Sequence, residues 1–263
     1  MTERTAIVSA SAEELDLSGP LWKGFVHKPV AGYQIYEGSL EGKPLVILIT
    51  GWGKVRAAQG ITLLYCRYRL SQLFFIGACG GIGGWQRGDI CIPLLFDYYD
   101  FNVYPLLEPY AYPPFEPDGY LPLKAGSRTM KLAGELKAEF NRAYYGLALT
   151  GDSFVSDAEI IHRTGKVIKH RSATVPIKIK KGKRPSAEYL KLLQLMNNSP
   201  EGAIVDMEST AVAETCMNLK LDFLVIRIVS DCIDANSHTD FTAFLSDTMP
   251  GMVKTLINII GKH

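Results

Sequence analysis

Short apolar runs of strand length recur along this chain with helix-period segments between them, and that alternation constrains the fold more than any other feature. Thr5–Ala10 (TAIVSA), Gly32–Leu40 (GYQIYEGSL), Pro44–Thr50 (PLVILIT), Leu73–Gly77 (LFFIG), Gly88–Phe96, Tyr145–Thr150, Ala203–Asp206 and Leu221–Ser230 (LDFLVIRIVS) read as strands. Helical spacing predicts helices over Lys54–Leu70, Arg128–Arg142, Ala187–Met196, Glu208–Asn218 and Phe241–Ile260, the last disturbed at Pro250. Glu41-Gly42-Lys43 reads as a hairpin turn, the glycines after Leu73–Gly77 as a tight turn, and the Pro- and Tyr-rich residues 104–122 as a long loop. Strands interleaved with helices predict an α/β fold, a central mixed β-sheet flanked by helices. No linker composition interrupts the chain, so 1–263 reads as a single domain.

Several function classes are disfavoured. The net charge of +1 gives no whole-protein field to draw nucleic acid or a membrane surface. No apolar run reaches membrane-spanning length. The opening MTERTAIVSASAEEL carries acids where a secretory leader has a basic start and a long apolar core. The 5 cysteines are scattered, odd in number and free of CxxC spacing, which predicts free thiols in a reducing cytoplasm. The 5 histidines form no cluster with them, so neither a metal site nor another cofactor is expected.

In open α/β sheets, ligands bind beyond the carboxyl ends of the strands. The polar residues just past the predicted strands include Ser11 to Glu14, Gly51-Trp52-Gly53, Thr150 to Asp157, Asp206 to Glu208, and Ser230-Asp231. Glu14, Glu208 and Asp231 recur there from distant parts of the chain, which suggests one pocket. Each has an ordinary alternative. Glu14 suits the first turn of a helix, and Glu208 and Asp231 suit caps of whatever follows them. Phe154 suits a core, and GACGGIGG suits a turn.

Six stretches taken together resemble the nucleoside phosphorylase and nucleosidase superfamily, most closely its 5′-methylthioadenosine/S-adenosylhomocysteine nucleosidases. They are AIVSASAEEL, GYQIYEGSLEGKPLVILITGWGKVRAAQG, FFIGACGGIGGWQRGDICIP, LTGDSFVSD, AIVDMESTAVAETC and FLVIRIVSDCIDANSHTDF, in the family's order and over most of the chain. The resemblance implies cleavage of an N-ribosidic bond, a nucleoside substrate, water as co-substrate and a homodimer. It gives Asp231 the protonation of the leaving purine. A free aspartate titrates near ~3.9, so this role requires burial or neighbouring carboxylates to raise it. It gives Glu14 the activation of water, with Glu13 one residue off, and Glu208 the ribose hydroxyls and the positive charge on the sugar. Met207 would pack on the ribose, Phe154 would stack on the base, and the Val155 backbone would bond the base edge. Ala78, Gly80 and Ser230 complete the binding residues. Ser11, Trp52, Met207 and Phe241 fall at the end that receives the 5′ substituent. Tyr104–Pro117 corresponds to a stretch that reaches toward a neighbouring subunit's pocket.

Phosphorylases of this superfamily hold phosphate with cations and hydroxyls. At the corresponding positions this chain has Phe75 and Ala78, and SASAEEL lacks the phosphorylases' arginine. Hydrolysis is therefore expected, with 5′-thioadenosines as substrates. A phosphorylase, a futalosine- or AMP-cleaving relative, and a non-catalytic nucleoside-binding protein are the alternatives. One departure is larger: about 158–186 is a long insertion, without an acid from Ile160 to Ala187 and rich in Lys and Arg. It reads as a solvated loop or hairpin, as a lid over an anionic substrate tail, or as a patch that meets a polyanion.

Overall fold

The computed structural model describes residues 2–102, 105–106, 121–155, 187–232 and 237–262. The strands are β1 (Arg4–Ser9), β2 (Val26–His27), β3 (Gln34–Leu40), β4 (Lys43–Ile49), β5 (Leu70–Gly83), β6 (Ile90–Tyr98), β7 (Leu121–Pro122), β8 (Ala143–Thr150), β9 (Gly202–Asp206) and β10 (Phe223–Asp231). The helices are α1 (Lys54–Arg67), α2 (Ser127–Glu139), α3 (Ala187–Leu195), α4 (Ser209–Asn218), α5 (Ser237–Asp247) and α6 (Met249–Lys262). All ten strands join one mixed sheet, flanked by helices, as the alternation predicts.

The sheet curls on itself. Its order runs β10-β6-β8-β9-β5-β1-β4-β3-β2, and β10 also pairs with β5. Strands β5, β10, β6, β8 and β9 therefore close a ring, from which β1, β4, β3 and β2 extend. The 14-residue β5 makes the closure possible. One edge runs parallel to β10. The other pairs first with β1 and then, from Gly80 to Gly83, with β9. The central strands β6 and β10 are buried along almost their whole length, which is why they read as mostly apolar runs.

The predicted glycine turn after Gly77 is a correction. The strand continues through these glycines, and the first left-handed one is Gly83, at φ 79°. Their service is close approach: a Cβ at Gly77 would collide with the Arg227 guanidinium and stand 2.8 Å from Glu14 Oε1. A second correction falls at the C-terminal helix. It is two helices, and Pro250 sits in the first turn of α6, where its missing N–H removes no helical bond. A third concerns the long loop, since Leu121 and Pro122 pair with Phe96 and Leu95. Strand β2 and the 3-10 turns Glu13–Leu15 and Pro20–Trp22 were too short to give a periodic signal. Of Tyr104–Pro117 only residues 105 and 106 are described, and the basic insertion 158–186 lies outside the described residues.

Candidate active site

The loops after β1, β4, β8 and β9, with the ends of β5 and β10 and the start of α5, enclose a cavity of about 420 Å³. Glu14, Glu208 and Asp231 all line it, as do Trp52, Ala78, Gly80, Phe154, Val155, Met207, Ser230 and Phe241. Gly80 pairs with Val205 on one side and Asp231 on the other, so β5 brings the ends of β9 and β10 together. Ser11 is outside this lining. Its Oγ accepts the Glu14 N–H at 3.3 Å, fixing the 3-10 turn that presents Glu14.

Glu14 is 5 % exposed and tied at both oxygens. Oε2 accepts from Ser9 Oγ at 2.7 Å and from the Ala10 and Ser11 amides at 3.1 Å. Oε1 accepts the Ala78 N–H at 2.8 Å. A carboxylate oxygen offers about two lone-pair sites. With a single bonded donor among the described residues, Oε1 keeps one for a water. The plain first-turn role does not describe this carboxylate, which faces inward and is held by four donors.

Glu208 stands at the N-cap position of α4 yet makes no side-chain cap bond. Asp206 does that work, its Oδ1 accepting the Glu208 and Ser209 amides at 3.3 and 3.1 Å. The Glu208 carboxylate is left to the cavity wall. Its Oε1 accepts the Gly53 N–H at 2.9 Å and its Oε2 accepts Arg227 Nη2 at 3.0 Å. Gly53 has φ 96°, a conformation that aims its amide at Glu208 and that a side chain would strain. Burial, reinforced by the Asp206 charge and opposed by Arg227, pushes the Glu208 carboxyl up to about 7.

Arg227 is the residue that sequence reasoning missed. It is fully buried in mid-β10. Its guanidinium donates to Asp206 Oδ2 at 2.8 Å, Ser209 Oγ at 2.9 Å, Glu208 Oε2 at 3.0 Å and the Ala78 carbonyl at 3.3 Å. It also lies over the Phe75 ring, 4.3 Å from the centroid. The neighbouring acids hold its proton more firmly than usual, against the opposing effect of burial. The signal was present in LDFLVIRIVS: an arginine in an otherwise apolar strand requires buried acids beside it. Asp206 was seen as an acid but given no role. It ties Arg227, Ser209 and Thr150, whose Oγ1 donates to it at 2.7 Å.

Asp231 lines the same cavity from the end of β10 and is 4 % exposed. Ser230 Oγ lies 2.7 Å from Asp231 Oδ1 and 3.1 Å from the Cys79 carbonyl. Phe154 and Phe241 meet edge to face, ring centroids 5.5 Å apart. Phe154 is 38 % exposed and Trp52 71 %, so both present apolar rings at an open rim rather than filling a core. The arrangement offers acids around a central space, a carboxylate with room for water and an aromatic rim. Among the described residues no group of three or more His, Cys, Asp or Glu has a metal-holding geometry.

A family model described as the phosphorylase superfamily matches residues 4–260. Similar solved structures include the 5′-methylthioadenosine/S-adenosylhomocysteine nucleosidase from Neisseria meningitidis in complex with methylthio-immucillin-A. It is 23% identical, with a TM-score of 0.76 and 100% of both chains covered. The corresponding nucleosidase from Colwellia psychrerythraea 34H, in complex with adenine, is 21% identical, with a TM-score of 0.74 over 100% of this chain and 96% of that one. A futalosine hydrolase mutant of Helicobacter pylori strain 26695 is 18% identical, with a TM-score of 0.74 over 100% of both chains.

Proposed function

The chain belongs to the phosphorylase superfamily, and on that premise we propose that it is an N-glycosyl hydrolase, a nucleosidase that splits adenine nucleosides with water. One observation carries the choice of water over phosphate. Four carboxyl groups, Glu14, Asp206, Glu208 and Asp231, line the cavity, and no Lys, Arg or His side chain does so among the described residues. The cation beside it, Arg227, is already paired with Asp206 and Glu208. Such a wall repels a phosphate dianion and favours a sugar that becomes positive.

Asp231 protonates the leaving base at its imidazole nitrogen, and the bond between that base and the sugar's C1′ breaks. Glu208 and Asp206 stabilise the oxocarbenium character that develops at C1′. Glu14 takes a proton from the water that attacks C1′, and adenine and the free sugar leave. Phe154 stacks on the base, the Val155 backbone meets its edge, and Met207 supports the ribose.

The 5′ substituent lies toward Trp52, Met207 and Phe241. An apolar wall of this kind suits a thioether, so 5′-methylthioadenosine and S-adenosylhomocysteine are the proposed substrates. The resemblance of Tyr104–Pro117, rich in Tyr and Pro, to a stretch that reaches a neighbouring subunit supports a homodimer. Relative kcat/KM for methylthioadenosine, S-adenosylhomocysteine, adenosine and adenosine 5′-phosphate tests the substrate. The 5′-thioadenosines are expected to lead. Preference for the phosphate or for adenosine would overturn that choice.

A further inference from the structure

A cluster just outside the cavity is left unexplained by these roles. Lys54, the first residue of α1, brings Nζ within 2.8 and 2.6 Å of the two Asp100 oxygens and 3.4 Å of Asp152 Oδ2. Its ammonium also lies 5.3 Å from the centre of the Tyr98 ring. The backbone repeats the pattern. The Lys54 N–H donates to Asp152 Oδ1 at 2.9 Å, and the Asp152 N–H donates to Asp100 Oδ2 at 3.0 Å. Three segments distant in sequence meet here: the start of α1, the residues after β6 and the loop after β8.

Stability is a weak reason for such a cluster. The side chains of Lys54, Asp100 and Asp152 are 24%, 30% and 47% exposed, and ion pairs so open to water add little to folding. Position is a better one. The Gly53 amide donates to Glu208, and the next amide, that of Lys54, donates to Asp152. Asp152 stands two residues before Phe154. One dipeptide thus holds the sugar-side acid with its first N–H and the base-side loop with its second. The Tyr99 hydroxyl, one residue past β6, supports the same loop, donating to the Ser153 carbonyl at 2.9 Å.

We infer that Lys54, clamped between Asp100 and Asp152, is a positioning residue that fixes the base-side wall of the cavity relative to Glu208. The inference rests on the nucleosidase reading. Lys54 touches no reacting atom in this account. It sets where Phe154 and Val155 stand, and so acts on how tightly the base is held.

Calorimetric titration of adenine into wild type, Lys54→Met, Lys54→Arg and Asp152→Asn, with kcat and KM for methylthioadenosine, tests it. Lys54→Met is expected to raise the adenine Kd and the KM about fivefold, the scale of a partly exposed ion pair. The kcat and Tm should change little. Arg, which also pairs with carboxylates, restores most of the affinity. Adenine is neutral, so salt acts on its binding through the protein. Raising salt to ~1 M, where screening reaches within about 3 Å, should weaken adenine binding to wild type and leave Lys54→Met unchanged. Should Lys54→Met fail to fold, Asp152→Asn supplies the same comparison. Wild-type affinity in Lys54→Met and Asp152→Asn, or an equal salt response in wild type and these two variants, would overturn the clamp alone. A wild-type protein that does not bind adenine would overturn the nucleosidase reading and the clamp with it.

Discussion

Asp231 and Glu208 differ in the charge each must carry to work. Asp231 acts as an acid, so Asp231→Asn keeps the shape and removes the proton, at an expected cost on the order of 10²–10⁴ in kcat. Near wild-type turnover in that variant would refute the assignment. Glu208 acts as an anion, and burial lifts its carboxyl from 4.5 to about 7. The kcat/KM should therefore rise with pH through about 7, and Glu208→Gln should lack that limb. Stability carries the opposite sign. A carboxyl raised on folding is favourable while protonated, so its contribution is complete below 4.5 and lost as pH rises through about 7. The Tm of wild type relative to Glu208→Gln should fall over that interval. Arg227 is a different case, since its removal strands two buried acids. Arg227→Met is expected to cost about 3–5 kcal/mol of stability, measurable by urea denaturation. A neutral outcome would mean that Asp206 and Glu208 do not depend on it.

At the scale of elements, β5 bears most of the design, because one strand serves both the extended sheet and the closed ring. Gly77→Ala forces a methyl group toward Arg227 and Glu14, both fixed by other bonds. A loss of about 1–3 kcal/mol follows from such overpacking. Gly134 in α2 has nothing within 4 Å of an added Cβ, so Gly134→Ala should stabilise by about 0.4–1 kcal/mol. Chemical denaturation of the pair distinguishes the two uses of glycine. The same strand marks where sequence reading stops. Its first half was legible from apolar residues, and the ends of β9 and β10 from acids following apolar runs. Glycines inside a strand carry no periodic signal and look like a turn, so the second half of β5 was not. The ring closure depends on pairings between distant strands, which no local pattern encodes. Cap chemistry is ambiguous in a related way: Asp206 and Glu208 are two residues apart, and only the fold tells which caps α4 and which faces the cavity.

For the whole molecule, the closed part of the sheet gathers residues from the first loop to the last strand around one acidic cavity. A homodimer is expected by sedimentation, and a fully active monomer at micromolar concentration would contradict the proposed assembly. That acidic wall has a direct chemical consequence. Methylthioadenosine should be cleaved in phosphate-free buffer, and adding saturating phosphate should change neither the rate nor the sugar product. The measurement that tests this most directly is the identity of the sugar formed in the presence of phosphate. Free 5-methylthioribose is the predicted product, and a sugar 1-phosphate, formed only when phosphate is supplied, would contradict it.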